Sequence, residues 1–297
     1  MFCAAVMCGH MAMVFQSYAL WPHMTAAQNI GYGLKLRRVP KPEARARVEE
    51  VLAMLKLDGL GGRMVGQLSG GQRQRVALGR ALAINPRILL LDEPLSNLDA
   101  RIREDVRHEI KALQKALGIT AIHVTHDREE AMVMADRIVI LDAGNIAQQG
   151  APEEIYNRPA SPFVAAFLGA ANAIRLTAHP EAGATRIEAG PFNAPARVAG
   201  ADSLAGTVVA HFRSEAAELV EPGVDCGDDL VLRGQVRQVS YPGGFWRYAV
   251  AVGEQEFMVD DERRREPGAA VGIRLASSAV HLFPTGGAPP RDQPSRE

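Results

Sequence analysis

Two short stretches of this 297-residue sequence carry side chains spaced for phosphate chemistry. In Leu68-Ser69-Gly70-Gly71-Gln72, paired glycines stand next to a hydroxyl and an amide, just before a helix-forming run. Without Cβ atoms, glycines let backbone N–H groups approach a ligand closely. A helix N-terminus adds free N–H donors and partial positive charge, which suits a phosphate. In Ile88-Leu89-Leu90-Leu91-Asp92-Glu93-Pro94, an apolar run without alternation stops abruptly in two carboxylates. The run predicts a strand buried on both faces of a parallel sheet. Its carboxyl end is where α/β sheets place ligands. Adjacent buried carboxylates are costly without a cation. The pair therefore points to a bound metal rather than to a structural role.

The order LSGGQ, a strand ending Asp-Glu-Pro, then Ser96-Asn97-Leu98-Asp99 resembles the nucleotide-binding subunit of ABC transporters, with its signature, Walker B strand and D-loop. The resemblance implies an α/β fold, a P-loop NTPase-like ABC nucleotide-binding domain, with ATP and Mg²⁺ as its ligands. Asp92 would hold Mg²⁺, a hard cation that takes oxygen ligands and keeps waters. Glu93 would orient or deprotonate the attacking water; phosphoryl transfer needs mainly positioning and charge neutralisation. Gln16, after the apolar run at 12–15, falls on the family's Q-loop, which touches metal and attacking water. His126 in Thr125-His126-Asp127 falls on the switch histidine that contacts the γ-phosphate; His123, two places earlier inside a strand, reads as packed. In the family's head-to-tail dimer each ATP lies between one subunit's Walker A loop and the other's LSGGQ. Ser69, Gly70, Gly71, Gln72 and Asp99 would then bind nucleotide. Arg73 and Arg75 read as a solvated basic face.

The resemblance further implies transmembrane permease subunits, a second ATP-binding subunit in a homo- or heterodimer, and, indirectly, a periplasmic or extracellular solute-binding protein. The chain would sit in the cytoplasm, peripheral on the inner face of the membrane. Tyr18, Leu20 and Trp21 are candidates for the groove that receives the permease. The importer group suggested is that of polyamine, ferric-iron, phosphonate and sugar uptake.

Composition agrees. A formal charge of -1 without single-sign runs gives a nucleic-acid role no electrostatic support. The three cysteines, Cys3, Cys8 and Cys226, are too few for a disulfide framework and fit a reducing compartment. Cys3, Cys8 and His10 are too loose a set for a metal site. No apolar run reaches the length of a membrane span, and residues 1–15 lack the basic start of a signal peptide.

The positioning elements follow from periodicity. Helices are expected after Thr25, over 42–57 with a stripe at 44, 48, 51, 52 and 55, over 72–84, and over 98–117 up to Gly118. A further strand is expected at 120–124, then a helix over 127–135, a hairpin over 137–150 and two short helices. This predicts an ATP-binding domain over 1–169. Residues 170–205 are rich in Ala, Gly and Pro with weak strand signals. Alternating runs at 235–241, 247–252 and 256–259 predict small antiparallel β structure. Together these resemble the TOBE domain of importer ATPases, a small β-barrel-like unit over 170–285. Arg213-Ser214-Glu215 falls where that family commonly shows Arg-Pro-Glu. Residues 286–297 read as a disordered tail.

Gly-x-x-x-x-Gly-Lys-[Ser/Thr], the Walker A loop that cradles phosphates, is absent from the sequence. Residues 1–10 match nothing assigned. The expectation is an N-terminally truncated family member, inactive alone, or a non-catalytic half contributing only LSGGQ to a partner's site. Because the family pattern as read here sets a Walker A strand beside the Walker B strand, its loss is expected to open strand edges and leave the domain poorly stable.

Overall fold

The structure, a computed structural model, describes residues 11–96, 100–199 and 204–285. Asp99 with the rest of the D-loop, residues 1–10 with Cys3, Cys8 and His10, and the tail at 286–297 lie outside the described residues. Contacts divide the chain into two units, Met1–Asp136 and Arg137–Glu297. The hairpin and short helices after residue 136 are therefore described with the second unit.

The first unit is built on three parallel strands in the order β1 (Met11–Val14), β2 (Ile88–Asp92), β3 (Thr120–Val124). Both edges of β2 are paired, with Val14 level with Leu91 and Leu91 level with His123. The Walker B strand thus has no open edge, which corrects the expectation that it lacks a neighbour. Burial on both faces is corrected too. Leu89 and Leu91 are 2% exposed, but the opposite face is half-covered, and on β3 Ile122 and Val124 are 53% and 54% exposed. Residues of one parity face the helices of this unit, and among its described residues no helix shields the other parity to the same extent. A continuous apolar run cannot distinguish these cases.

Five helices follow the expected pattern: α1 (Ala26–Leu36), α2 (Lys41–Met54), α3 (Gly70–Leu82), α4 (Ala100–Leu117) and α5 (Arg128–Met134). Thr25 and Gln28 close a capping box at α1, and Gly118, at φ 62°, ends α4. On α3, Val76, Ala77, Leu78 and Leu82 face Ile30 of α1 and Val51 and Leu55 of α2 in one core. Full burial stabilises by about 1.5–3 kcal/mol for each large aliphatic side chain. Gly79 permits this closeness: a Cβ there would meet Leu55 Cδ1 at 2.9 Å, Val51 Cγ1 at 3.1 Å and Ile30 Cδ1 at 3.2 Å.

The second unit begins with a hairpin, β4 (Ile138–Asp142) and β5 (Asn145–Gly150), then α6 (Pro152–Asn157) and α7 (Pro162–Phe167). Two antiparallel five-stranded sheets follow. One has the order β15-β9-β6-β7-β8, made of β6 (Asn172–Glu181), β7 (Ala184–Ile187), β8 (Ala196–Ala199), β9 (Gly206–Phe212) and β15 (His281–Pro284). The other has the order β10-β14-β11-β12-β13, made of β10 (Ala217–Val220), β11 (Leu230–Ser240), β12 (Trp246–Val252), β13 (Gln255–Asp261) and β14 (Ala270–Leu275). Ile174, Leu176, Val208 and Phe212 of the first sheet share one core with Leu232, Val250, Phe257 and Ile273 of the second. The described residues of the weak-signal stretch over 170–205 therefore include three strands, with buried residues alternating along Asn172–Glu181.

Arg213 fastens the helices of this unit to its sheets. Its guanidinium donates to the carbonyls of Tyr156 at 2.7 Å and Leu168 at 3.4 Å and stacks on the Tyr156 ring at 3.6 Å. It also donates to His281 Nε2 at 3.3 Å. That contact requires a neutral imidazole, and burial, with the charge of Arg213 beside it, holds the His281 pKa down at about 4.

Candidate functional site

The parallel sheet delivers three of the expected residues to one point. Glu93 follows the last residue of β2, while Gln16 and His126 each stand two residues beyond the ends of β1 and β3. Gln16 Nε2 donates to Glu93 Oε2 at 3.1 Å. His126 Nδ1 lies 3.2 Å from Glu93 Oε1, with the ring otherwise turned to solvent. Both carboxylate oxygens are thus engaged from opposite sides. Asp92 closes β2 level with Val124, half-exposed at the same strand end.

Glu93 has a left-handed backbone, φ 43°. Such a conformation costs about 1–2 kcal/mol in a residue with a Cβ and tends to mark functional positions. Here it is held by its N–H donating to Val124 O at 2.9 Å. Its own carbonyl accepts from Ser96 Oγ at 2.9 Å. Nothing in the sequence announces this turn.

The signature forms a second group. Ser69 caps α3: its Oγ accepts from Gln72 N at 3.3 Å, and Gln72 Oε1 accepts from Ser69 N at 3.0 Å. This reciprocal box spends the hydroxyl and the amide on the helix itself. The backbone N–H groups of Gly70 and Gly71 remain the first-turn donors with no acceptor among the described residues. Arg73 is exposed, as expected, whereas Arg75 is ion-paired with Glu109 of α4 at 2.9 Å.

Polar residues that sequence reasoning missed hold the loop carrying His126. Thr125 Oγ1 donates to the buried Glu130 carboxylate at 2.7 Å and accepts from Asp127 N at 2.9 Å. Asp127 caps α5 by accepting from Glu129 N and Glu130 N, and Arg103 of α4 pairs with it at 3.3 Å. Burial pushes the Asp127 carboxyl up, but those two N–H groups, the charge of Arg107 and the hydrogen bond from Arg103 outweigh it and hold it below the usual range. The T-H-D-x-x-E spacing around an N-cap was the available signal. His123 is packed as expected. Desolvation, then the charge of Arg107, lowers its pKa to about 4, so it is a neutral ring 3.6 Å from Glu130.

Of the expected docking residues, Tyr18 is buried, while Leu20 and Trp21 are half-buried. Asn29 and Arg80, neither singled out by the sequence, hold this segment. Among the described residues, no helix is long and apolar enough to cross a membrane. No group of three or more His, Cys, Asp or Glu side chains is arranged there to hold a metal ion.

Comparison with known proteins agrees with this geometry. The ABC transporter family model matches residues 4–96, and the TOBE domain model matches residues 212–283. The Fe(3+) ions import ATP-binding protein FbpC 1 of Rhizobium meliloti is 56% identical over 163 residues, 55% of this chain and 46% of that protein. FbpC of Rhizobium etli is 42% identical over 280 residues, 92% of this chain and 76% of that protein. The sn-glycerol-3-phosphate import ATP-binding protein UgpC of Chromobacterium violaceum is 42% identical over 274 residues, 92% of this chain and 73% of that protein. The aligned part of the chain spans about half the length of the first of these relatives, at 46%. With the strand-end acids, the signature cap and the C-terminal β sheets in place, the chain belongs to the ATP-binding proteins of ABC importers that carry a TOBE domain.

Proposed function

We propose that this chain works as the ATP-binding, ATP-hydrolysing subunit of an ABC importer, in a dimer of ATP-binding subunits docked on transmembrane permeases at the cytoplasmic face of the membrane. The observation that carries this reading is the Glu93 carboxylate, fixed on one oxygen by Gln16 and on the other by His126. A base gripped from both sides is positioned before a water arrives, and positioning is most of what phosphoryl transfer needs from protein. Gln16 and His126 can hold the base, the water and a terminal phosphate in line. The half-exposed carboxylate of Asp92, with the side-chain oxygen of Gln16, is an oxygen donor set of the kind Mg²⁺ takes. When bound, the metal supplies neutralisation of phosphate charge. Asp99 is proposed to bind nucleotide together with the signature residues Ser69, Gly70, Gly71 and Gln72. Cargo recognition would lie with the permeases and a solute-binding protein; the names of the relatives favour ferric ion, then glycerol phosphate.

The 297 residues contain no Gly-x-x-x-x-Gly-Lys-[Ser/Thr]. The phosphates attended by Glu93 would therefore need a cradle that this sequence does not hold. The signature needs none from its own chain: Gly70 and Gly71 keep N–H donors that a partner's nucleotide can take. This supports a second reading, a half that completes only a partner's ATP site. The test is assembly with a second ATP-binding subunit that carries the phosphate loop, followed by phosphate release. Full loss on Gly71→Asp with little change on Glu93→Gln supports the half-site reading. Loss on both supports the first. Tight ATP binding by the purified chain alone refutes the half-site reading, and failure to associate with any such subunit refutes both.

A further inference from the structure

A clasp joins the loop after Gln16 to the signature helix, and the chemistry above makes no use of it. Two successive residues of that loop, Tyr18 at φ 61° and Ala19 at φ 45°, are left-handed without being glycine. At a cost of about 1–2 kcal/mol each, the chain does not hold such a turn unaided. Both carbonyls converge on one guanidinium. Arg80 Nη2 donates to Tyr18 O at 2.9 Å, and Nη1 donates to Ala19 O at 2.6 Å. The same guanidinium lies 4.8 Å from the centre of the Trp21 ring, whose neighbour is Tyr32 of α1 at 4.1 Å. The next turn is held from α1 by the fully buried Asn29. This residue accepts from Trp21 N at 2.9 Å and donates to the carbonyls of Trp21 at 3.2 Å and Thr25 at 3.0 Å.

The loop is therefore gripped from two helices, and the grip from α3 is Arg80. That residue lies on the helix that Ser69 caps, about 15 Å along the axis from Gly70 at 1.5 Å per residue. Beside it, Gly79 seats α3 tightly on α1 and α2, so the three helices cannot slide past one another cheaply. A displacement of the loop must then move α3 or break the Arg80 bonds.

We propose that Arg80 is a positioning residue that locks residues 17–24 to the signature helix, so that a change at Trp21 is felt at residues 68–72. The functional sense, a docked permease acting through this loop on the signature, rests on the reading proposed above. The clasp itself is tested without nucleotide or permease, so its failure and the failure of that reading are separate results.

The test uses the full chain carrying Trp246→Phe, which leaves Trp21 as the one tryptophan of the two. Tryptophan emission and hydrogen exchange at residues 17–24 and 68–72 are followed. Arg80→Ala is expected to red-shift Trp21 emission and to speed exchange at 17–24 about tenfold or more, the worth of charged hydrogen bonds. Arg80→Lys, a point charge facing two carbonyls, falls between. Ala19→Gly relieves strain at an exposed position, so Arg80→Ala added to it has a smaller effect on the loop. Trp21→Ala speeds exchange at 68–72 when Arg80 is present and not when it is Ala. Unchanged emission and exchange at 17–24 in a folded Arg80→Ala protein overturns the clasp. A Trp21→Ala effect at 68–72 that is the same with and without Arg80 overturns the transmission. If Arg80→Ala does not fold, Arg80→Lys makes both comparisons.

Discussion

His126 Nδ1 stands 3.2 Å from Glu93 Oε1, each residue just past the end of one of two neighbouring parallel strands. The contact fixes the orientation of a carboxylate that Gln16 holds from the other side. Glu93→Gln keeps the shape and removes the carboxylate proposed above as the base. In an assembled importer its steady-state phosphate release is expected to fall by about 10²–10⁴, with assembly unchanged by size-exclusion chromatography.

The left-handed backbone of Glu93 separates stability from activity. Glu93→Gly relieves about 1–2 kcal/mol of strain and loses about 0.5–1 kcal/mol to the freer unfolded chain. The expected net is a stabilisation of about 0.5–1 kcal/mol, read as a higher urea midpoint, together with loss of turnover. A lower midpoint would mean that the contacts with Gln16 and His126 outweigh the strain.

Two histidines make stability depend on acidity, one in each unit. His123 and His281 both have folded pKa values of about 4 against an ordinary 6.5. Between those values the unfolded chain binds the proton and the folded chain does not. Stability is therefore full above pH 6.5, declines as pH falls toward 4, and levels off below. For the well-buried His123 the loss is about 3 kcal/mol, at 1.36 kcal/mol per pH unit. Thermal unfolding from pH 7 to 4 should show the decline. His123→Phe removes the part in the first unit, and His281→Gln the part in the second.

Arg213 is the fastener of the second unit, through two carbonyls, His281 and the face of Tyr156. Arg213→Ala is expected to destabilise that unit by about 3 kcal/mol, from lost charged hydrogen bonds and ring stacking. Arg213→Lys should recover less than half, because an ammonium lacks the planar fork. Urea unfolding followed by Trp246 fluorescence measures both.

The parts of this fold and site that were legible are those written in local residue order. Ser69 before two glycines marks a capped helix, an apolar run into Asp92 marks a strand end, and Gly118 marks a stop. The antiparallel unit was legible where large residues alternate, as along Trp246–Val252, and faint along Asn172–Glu181, where the inward Ile174 and Leu176 are flanked by an inward Asn172 and Ala178. What the sequence withheld depends on residues far apart in the chain. The αL turn at Glu93 is set by a hydrogen bond to Val124, and the turn at Tyr18 and Ala19 by an arginine about sixty positions away. Composition could not show that one face of β3 stays uncovered, because Ile122 and Val124 have the same character as residues that are buried.

The place of β2 between its two neighbours gives the acids a fixed reference. Asp92 and Glu93 ride on a strand stitched along both margins, while Gln16 and His126 extend from strands outside it. The Glu93 carboxylate is thus met by contacts from two different strands, Gln16 from the side of β1 and His126 from the side of β3, so its orientation depends on the register of all three strands at once.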